Sequence, residues 1–126
     1  MKILTIPLVA LLIAPGLLGA QELKNVHVLP FRTKKEITSF MKKSVAKSLG
    51  VKCKFCHNLK NYPSDENPHK VVAREMMRMM TNINEQMTSI QKVAVEAGME
   101  HWDEAPKIDC WVCHRGSSQP ELAAPK

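Results

Sequence analysis

Apolar residues recur at helical spacing in two stretches of the chain. The first stretch predicts a helix from about Lys34 to Leu49. Its apolar stripe consists of Ile37, Phe40, Met41, Val45 and Leu49. Thr33 and Glu36 have the spacing of a capping box at the start of this helix, and Gly50 is typical of a residue that ends one.

The second stretch is longer and predicts a helix from about His69 to Ala97. Asn67 is a suitable N-cap, Pro68 suits the first helical position, and Gly98 follows the expected end. The apolar stripe of this helix consists of Val72, Met76, Met79, Ile83, Ile90, Ala94 and Ala97. No alternating pattern of any length predicts a strand, so we expect an all-α fold.

The segments outside these helices predict how the chain is divided. A basic start, an uncharged run and small residues at its end predict a secretory signal peptide over residues 1–20. Such a signal implies a periplasmic protein, and an uncleaved N-terminal anchor is the alternative. We expect an extended leader over residues 21–33, one folded domain over 34–120 and a flexible tail over 121–126.

All four cysteines of the chain lie in two C-x-x-C-H motifs, residues 53–57 and residues 110–114. This motif is the signature of covalent c-type haem attachment. Two thiols add to the vinyl groups of one porphyrin, and the adjoining histidine ligates the iron. We therefore expect two covalently attached haems. Haem 1 would be held by Cys53, Cys56 and His57, and haem 2 by Cys110, Cys113 and His114.

Zinc and disulfides are the other interpretations of these cysteines. A zinc ribbon places its two C-x-x-C pairs about 15–20 residues apart. Cys56 and Cys110 are much further apart than that in the sequence. Two disulfides would suit a secreted chain, but they would not explain the histidine that follows each pair.

The chain has a formal charge of +6 at pH 7, from 18 basic and 12 acidic residues. Four haem propionates would offset most of that excess, so the basic composition does not indicate a nucleic-acid partner. We expect basic residues to face propionates or an acidic redox partner. Lys70, Arg74 and Arg115 lie near the haem elements, and each is either a propionate partner or a solvated charge.

An iron that carries electrons without binding a substrate needs a sixth ligand, usually methionine or histidine. Met41 lies on the inward side of the first predicted helix, just upstream of the first motif. Its spacing leaves open whether it is a ligand or a core residue. The same question applies to the methionine cluster of the second helix, which consists of Met76, Met77, Met79 and Met80.

Several stretches beyond the two motifs resemble the cytochrome c subunit of photosynthetic reaction centres. They are Phe40-Met41, residues 50–57, residues 65–68, residues 70–79, Ile83-Asn84, residues 110–116 and Pro120. The most specific of them pairs A-R-x-M-x-x-M on the second helix with C-H-R-G in the second motif. The resemblance covers one dihaem half of the family's tetrahaem members. It implies a small dihaem cytochrome domain whose two main helices pack on the haems.

The same resemblance implies that a methionine on the helix before each motif is the distal ligand. The implied pairs are Met41 with His57 on haem 1 and Met76 with His114 on haem 2. The segment between Met76 and Cys110 is longer than in the family pattern. Met79 and His101 therefore stay as alternative ligands of haem 2.

Two irons with both axial positions filled pass electrons and bind no substrate, so we expect an electron carrier rather than an enzyme. The resemblance implies a redox partner such as a photosynthetic reaction centre or another membrane electron-transfer complex. Membrane association is expected only if the N-terminal segment is uncleaved. The alternatives are a peroxidase-like dihaem enzyme with an open haem 2 and a haem-bearing subunit of a larger assembly, an oligomer included.

Overall fold

Only helices and irregular segments occur within residues 23–121, the part of the chain that the computed structural model describes. This confirms the predicted all-α fold. The predicted signal peptide, the first two residues of the leader and residues 122–126 of the tail lie outside the described residues. Within residues 23–121, no helix is long and apolar enough to cross a membrane.

The first helical run begins where the capping box predicts. Thr33 Oγ1 accepts the backbone N–H of Glu36 at 3.2 Å, and the Glu36 carboxylate accepts the Thr33 N–H at 2.9 Å. The run consists of an α-helix, Lys34–Phe40 (α1), a π-helix, Met41–Ala46, and a last α-helical turn, Lys47–Leu49 (α2). Gly50 then adopts a left-handed conformation with φ 65°, which ends the run.

The π-helical segment in the middle of this run differs from the regular α-helix that the sequence predicts. A π turn holds one residue more than an α turn, and such turns are frequent at functional sites. This one begins at Met41, the expected ligand of haem 1, and its buried residue is Val45. The predicted apolar stripe therefore passes through a widened turn between these two residues.

The second helix, Pro68–Glu96 (α3), differs from the predicted bounds by one residue at each end. Asn67 Oδ1 caps it by accepting the backbone N–H of His69 at 3.0 Å. Pro68 occupies the first helical position, where its missing N–H costs nothing. Both main helices of the prediction are therefore present.

The side of α3 that the rest of the chain covers shares only Ala94 with the apolar stripe that the sequence predicts. The buried and half-buried residues that follow one another along the covered side are Ala73, Met77, Met80, Asn84, Met87, Gln91 and Ala94. The predicted stripe is largely exposed, and Met76 and Met79 are 47% and 49% exposed. Because successive helical residues point about 100° apart, the Met76 side lies beside the Met77 side. The helix therefore has two neighbouring apolar sides, and the polypeptide covers one of them.

The second cysteine motif forms a short helix that the sequence pattern did not predict, Cys110–His114 (α4). The first motif begins with a 3₁₀ turn, Cys53–Phe55. Helix α4 packs against α2 and the π-helical segment. This packing brings the second motif to the end of the first helical run, where the first motif also begins.

The two motifs meet at a close crossing of the backbone. The Gly116 N–H donates to the Ser48 carbonyl at 2.7 Å, and Ser48 is itself buried. A β-carbon on Gly50 would lie 2.1 Å from the Gly116 carbonyl oxygen. Gly50 therefore ends the first helical run and also allows the second motif to approach the first.

Few side chains are buried by the polypeptide itself. Within the described residues, those less than a tenth exposed are Val45, Met77, Ala94 and Ser48. Two of these four belong to the region of the crossing, Val45 in the π-helical segment and Ser48 in α2. The backbone crossing is therefore a large part of what defines the tertiary structure.

Replacing Gly50 by alanine should destabilise the protein by about 3 kcal/mol or more, because backbone strain at positive φ combines with a backbone overlap. The matched control is Gly98→Ala. Gly98 also has a positive φ, 77°, but its β-carbon would meet nothing within 4 Å. That control should cost about 1 kcal/mol from strain alone. Urea unfolding of both variants measures the difference, and equal losses would show that the crossing contributes little.

Candidate functional site

The first motif forms a tight turn in which one carbonyl accepts two backbone hydrogen bonds. The Cys53 carbonyl accepts the N–H of His57 at 2.9 Å and that of Cys56 at 3.3 Å. The Cys53 side chain is exposed, the Cys56 side chain is half-buried, and both thiols are free. The Phe55 ring packs on His69 in the first turn of α3, with ring centroids 4.3 Å apart. The motif is therefore anchored to α3 through Phe55.

The His57 imidazole has a backbone partner at one of its two nitrogens. Its Nδ1 lies 3.4 Å from the Tyr62 carbonyl, and the two rings are 5.3 Å apart. A carbonyl at Nδ1 holds the ring proton there and leaves the Nε2 lone pair free for a metal. Burial lowers the pKa of His57; the Tyr62 carbonyl acts against this shift, and the charge of Lys70 adds to it. The imidazole is therefore neutral at pH 7, the form that ligates iron.

The second motif repeats this arrangement within a shorter loop. Asp109 caps α4 with its carboxylate, and Arg115 ends the helix in a left-handed conformation with φ 46°. Nδ1 of His114 lies 2.9 Å from the Ser117 carbonyl. As in His57, a carbonyl of the following loop accepts at Nδ1 and Nε2 is left for a ligand.

The four thiols of the two motifs are unpaired. Burial raises the pKa of the Cys56 thiol, and burial together with the Asp109 charge raises the pKa of the Cys110 thiol. These two groups are therefore protonated at neutral pH, the S–H form that adds across a carbon–carbon double bond. Among the described side chains, no three of His, Cys, Asp or Glu converge as a cluster that could hold a metal ion.

A lysine of α3 holds the loop that follows the first motif. Lys70 Nζ donates to three successive carbonyls of this loop, those of Tyr62, Pro63 and Ser64, at 3.0, 2.8 and 2.8 Å. The Tyr62 carbonyl is also the partner of His57. Lys70 therefore fixes the position of the group that orients the first histidine.

Asp65 completes this network. Its carboxylate lies 2.9 Å from the Arg74 guanidinium and 3.0 Å from Lys70 Nζ, and it accepts the side-chain amide of Asn25 at 2.8 Å. The Arg74 guanidinium and the Lys70 ammonium hold the pKa of the Asp65 carboxyl well below its usual range. The side chains of Lys70 and Arg74 are only 12% and 13% exposed. Both cations therefore pair with Asp65, an arrangement that the sequence did not predict.

Two amides on the covered side of α3 hold the segment that leads to the second motif. The Asn84 side chain donates to the Ile108 carbonyl and accepts the Ile108 N–H, both at 2.8 Å. Two helical turns further on, the Gln91 amide donates to the Trp102 carbonyl at 2.8 Å. Neither residue was predicted from the sequence. Their signal was a polar pair seven residues apart within an otherwise apolar row.

The candidate distal ligands occupy three different settings. Met41 is half-buried at the start of the π-helical segment. Met76 and Met79 lie on the exposed apolar side of α3, and His101 is exposed in the segment between α3 and α4. The buried methionine of the α3 cluster is Met77. The pairing of a distal side chain with each motif histidine stays a prediction.

Residues 13–124 match the family model of the photosynthetic reaction centre cytochrome C subunit. Cytochrome c-554 of Chloroflexus aurantiacus is 31% identical to the chain over 93 residues, which are 74% of this chain and 20% of that protein. The photosynthetic reaction center cytochrome c subunit of Roseobacter denitrificans is 35% identical over 71 residues, 54% of this chain and 17% of the relative.

The corresponding subunit of Rubrivivax gelatinosus is 30% identical over 80 residues, 61% of this chain and 22% of the relative. The chain thus spans about a fifth of the length of these curated relatives. No solved structure gives a significant match.

The Asp65 network should make stability depend on pH in the acid range. Because the folded-state pKa of Asp65 lies below its ordinary value of 3.8, its contribution is complete above about pH 5 and is lost as the pH falls. Asp65→Asn should therefore lower the urea midpoint at pH 7 and reduce the further drop between pH 5 and pH 3. Glu85→Gln, at an exposed carboxylate of α3, is the control and should follow the wild type. Parallel pH profiles for all three proteins would contradict the assigned role of Asp65.

Removal of the Asn84 amide should weaken the attachment of the second motif to α3. Asn84→Ala leaves the partly buried N–H and carbonyl of Ile108 without partners and should cost about 2–3 kcal/mol. Asn82→Ala, at an exposed position of the same helix, should cost no more than about 0.5 kcal/mol. Urea unfolding of the two variants tests this, and the expectation fails if both lose the same amount.

Proposed function

Because the chain belongs to the photosynthetic reaction centre cytochrome c subunit family, we propose that it is a dihaem c-type cytochrome that carries electrons outside the cytoplasmic membrane. The observation that carries the proposal is the repeated histidine arrangement. His57 and His114 each end a C-x-x-C-H motif, and each has Nδ1 against a backbone carbonyl. Two imidazoles, each with Nδ1 against a carbonyl and Nε2 left free, are what two haem irons require.

The residues of each motif fit a covalently bound haem. In attachment, a thiol sulfur bonds to one vinyl carbon and the thiol hydrogen goes to the other, so that no oxidant is needed. Cys53 and Cys56 would hold the first haem, and Cys110 and Cys113 the second. Bound haem supplies an iron that changes between the ferric and ferrous states by one electron. The protein supplies the proximal nitrogen, the apolar surroundings and the placement of the two sites.

The exposed apolar side of α3 supports the same proposal. Four of its large side chains are about half exposed in the polypeptide, and they are Val72, Met76, Met79 and Ile90. Covering these side chains with an apolar group would stabilise the protein, because it removes apolar surface from water. Bound porphyrin faces would provide that cover, with Met76 as the ligand of haem 2 and Met79 or His101 as its alternatives. Met41, on the other helical run, is the proposed ligand of haem 1.

We place this activity in the periplasm, on the strength of the N-terminal signal pattern and of the family. Two of the relatives carry the name of a photosynthetic reaction centre subunit. A reaction centre, or another membrane electron-transfer complex, is therefore the proposed partner. The chain spans about a fifth of the length of these relatives, so this partner is an inference from the matched segment.

Ligand substitution tests the proposed function. The wild-type protein should contain two haems per chain, measured as the pyridine haemochrome, and both should be low-spin. Met41→Ala and Met76→Ala should each remove the far-red band of one methionine-ligated ferric haem. Each should also lower the potential of that haem by roughly 0.1 V or more, because methionine raises it relative to water or histidine.

Met99→Ala is the matched control, because Met99 is exposed and lies outside both apolar stripes. It should change neither spectrum nor potential. Met76→Ala could leave the spectrum and potential of haem 2 unchanged while Met79→Ala or His101→Ala alters them. In that case the residue whose replacement alters them is the ligand of haem 2. A wild-type protein with a high-spin haem 2 that reacts with peroxide would instead support the peroxidase-like alternative.

A further inference from the structure

Charge is divided unevenly between two stretches of the sequence, each of which contains one C-x-x-C-H motif. Residues 34–64, which include the first motif, contain eight lysines and one acidic residue. Residues 65–121, which include the second motif, contain ten acidic and six basic residues. The first region therefore has a formal charge of 8 − 1 = +7 and the second one of 6 − 10 = −4.

The positive charges of the first region are exposed. All eight of its lysines have exposed side chains, and none takes part in an ion pair with another described residue. The single acidic residue is Glu36, whose carboxylate is bound within the capping box by Thr33. Glu36 therefore stabilises the helix start and does not pair with the lysines around it.

Seven of these eight lysines follow one another along the first helical run and the first motif. Four of them line one shallow groove on the first helical run, which is formed by Lys34, Lys35, Thr38, Ser39, Lys42 and Lys43. Lys47 lies at the end of the run, and Lys52 and Lys54 flank the exposed Cys53 in the first motif. We name Lys34, Lys35, Lys42, Lys43, Lys47, Lys52 and Lys54 the basic face. It extends over a helical run of about 24 Å and ends at the thiol that would hold haem 1.

We propose that the basic face is the docking surface for an acidic electron-transfer protein, which exchanges electrons through haem 1. This inference rests on the proposed function, because it requires a haem at the first motif. Opposite charges raise the rate at which two redox proteins meet in a productive orientation, by roughly 10- to 1,000-fold at low ionic strength. The charge division makes haem 1, and not haem 2, the site that an acidic partner would approach.

Other anionic partners fit this surface less well. The groove has Thr38 and Ser39 between its lysines, whereas a helix that lies on a membrane needs large apolar residues beside its basic ones. Binding of single-stranded nucleic acid uses aromatic side chains as stacking platforms, and the groove contains none. A protein surface rich in Asp and Glu requires only the exposed ammonium groups that are present.

The test measures how fast an acidic redox protein reduces the haem-loaded protein. The probe is flavodoxin in its anionic hydroquinone form. It gives one electron to a ferric haem and becomes the neutral semiquinone, so that electrons and protons balance. The basic-face variant is Lys35→Glu with Lys43→Glu. The matched control is Lys92→Glu with Lys107→Glu, which changes the net charge equally at exposed positions outside the basic face.

At low ionic strength, the second-order rate constant should fall tenfold or more in the basic-face variant and by no more than about twofold in the control. Added salt should bring the three proteins to similar rates, because it screens exposed charges. Equal decreases in both variants would mean that only net charge matters, and unchanged rates would mean that the face is not used. Either result overturns the inference.

Phosphatidylglycerol vesicles provide the second arm of the test. If vesicle binding is lost in the basic-face variant while its flavodoxin rate equals that of the wild type, the face is a lipid site and the inference is wrong. A protein without two covalent haems contradicts the proposed function as well. A reducible dihaem protein whose rates ignore the basic face contradicts this inference alone.

Discussion

The contact on which the structure most depends is the backbone crossing of Ser48 and Gly116 beside Gly50. The first helical run has to end at a residue without a side chain, because the Gly116 carbonyl occupies the space that a β-carbon of Gly50 would need. The 2.7 Å hydrogen bond across this crossing joins the last turn before the first motif to the residue that follows the second. The separation of the two attachment sites is therefore set by the backbone itself, which matters in a chain with so few buried side chains.

Helix α3 serves both motifs from one rigid element. Its first turns hold the loop after the first motif through Lys70 and Arg74. Its middle holds Ile108, two residues before the second motif, through Asn84, and its later part holds the long connecting segment through Gln91. The apolar side that the polypeptide leaves exposed lies next to the side that carries Asn84 and Gln91. One helix can therefore position both cysteine motifs and still leave an apolar side exposed.

Local features of the fold were predictable from the sequence, and features that depend on distant contacts were not. The capping box at Thr33, the cap at Asn67 and the stop at Gly50 involve neighbouring residues, so their patterns identified the helix bounds to within a residue. Apolar periodicity could not tell the Met76 side of α3 from the adjoining Met77 side. Both sides carry methionine and alanine, and only the fold decides which of them the chain covers. The Lys70 network was hidden for the same reason, since a lysine that bonds three carbonyls has no sequence signature.

The carbonyls that face Nδ1 of the two histidines are held in different ways. The two sites therefore differ in how nearby charge acts on the histidine. The partner of His114 is the carbonyl three residues on, at 2.9 Å, in a turn that the backbone closes by itself. The partner of His57 is five residues on, at 3.4 Å, and the half-buried Lys70, which pairs with Asp65, holds it in place. A change in charge around the first motif therefore reaches its histidine through the Tyr62 carbonyl, whereas the second histidine has no such route through its own turn. The proposed site of haem 1 thus depends on a charged network, and it is also the motif beside the exposed lysines.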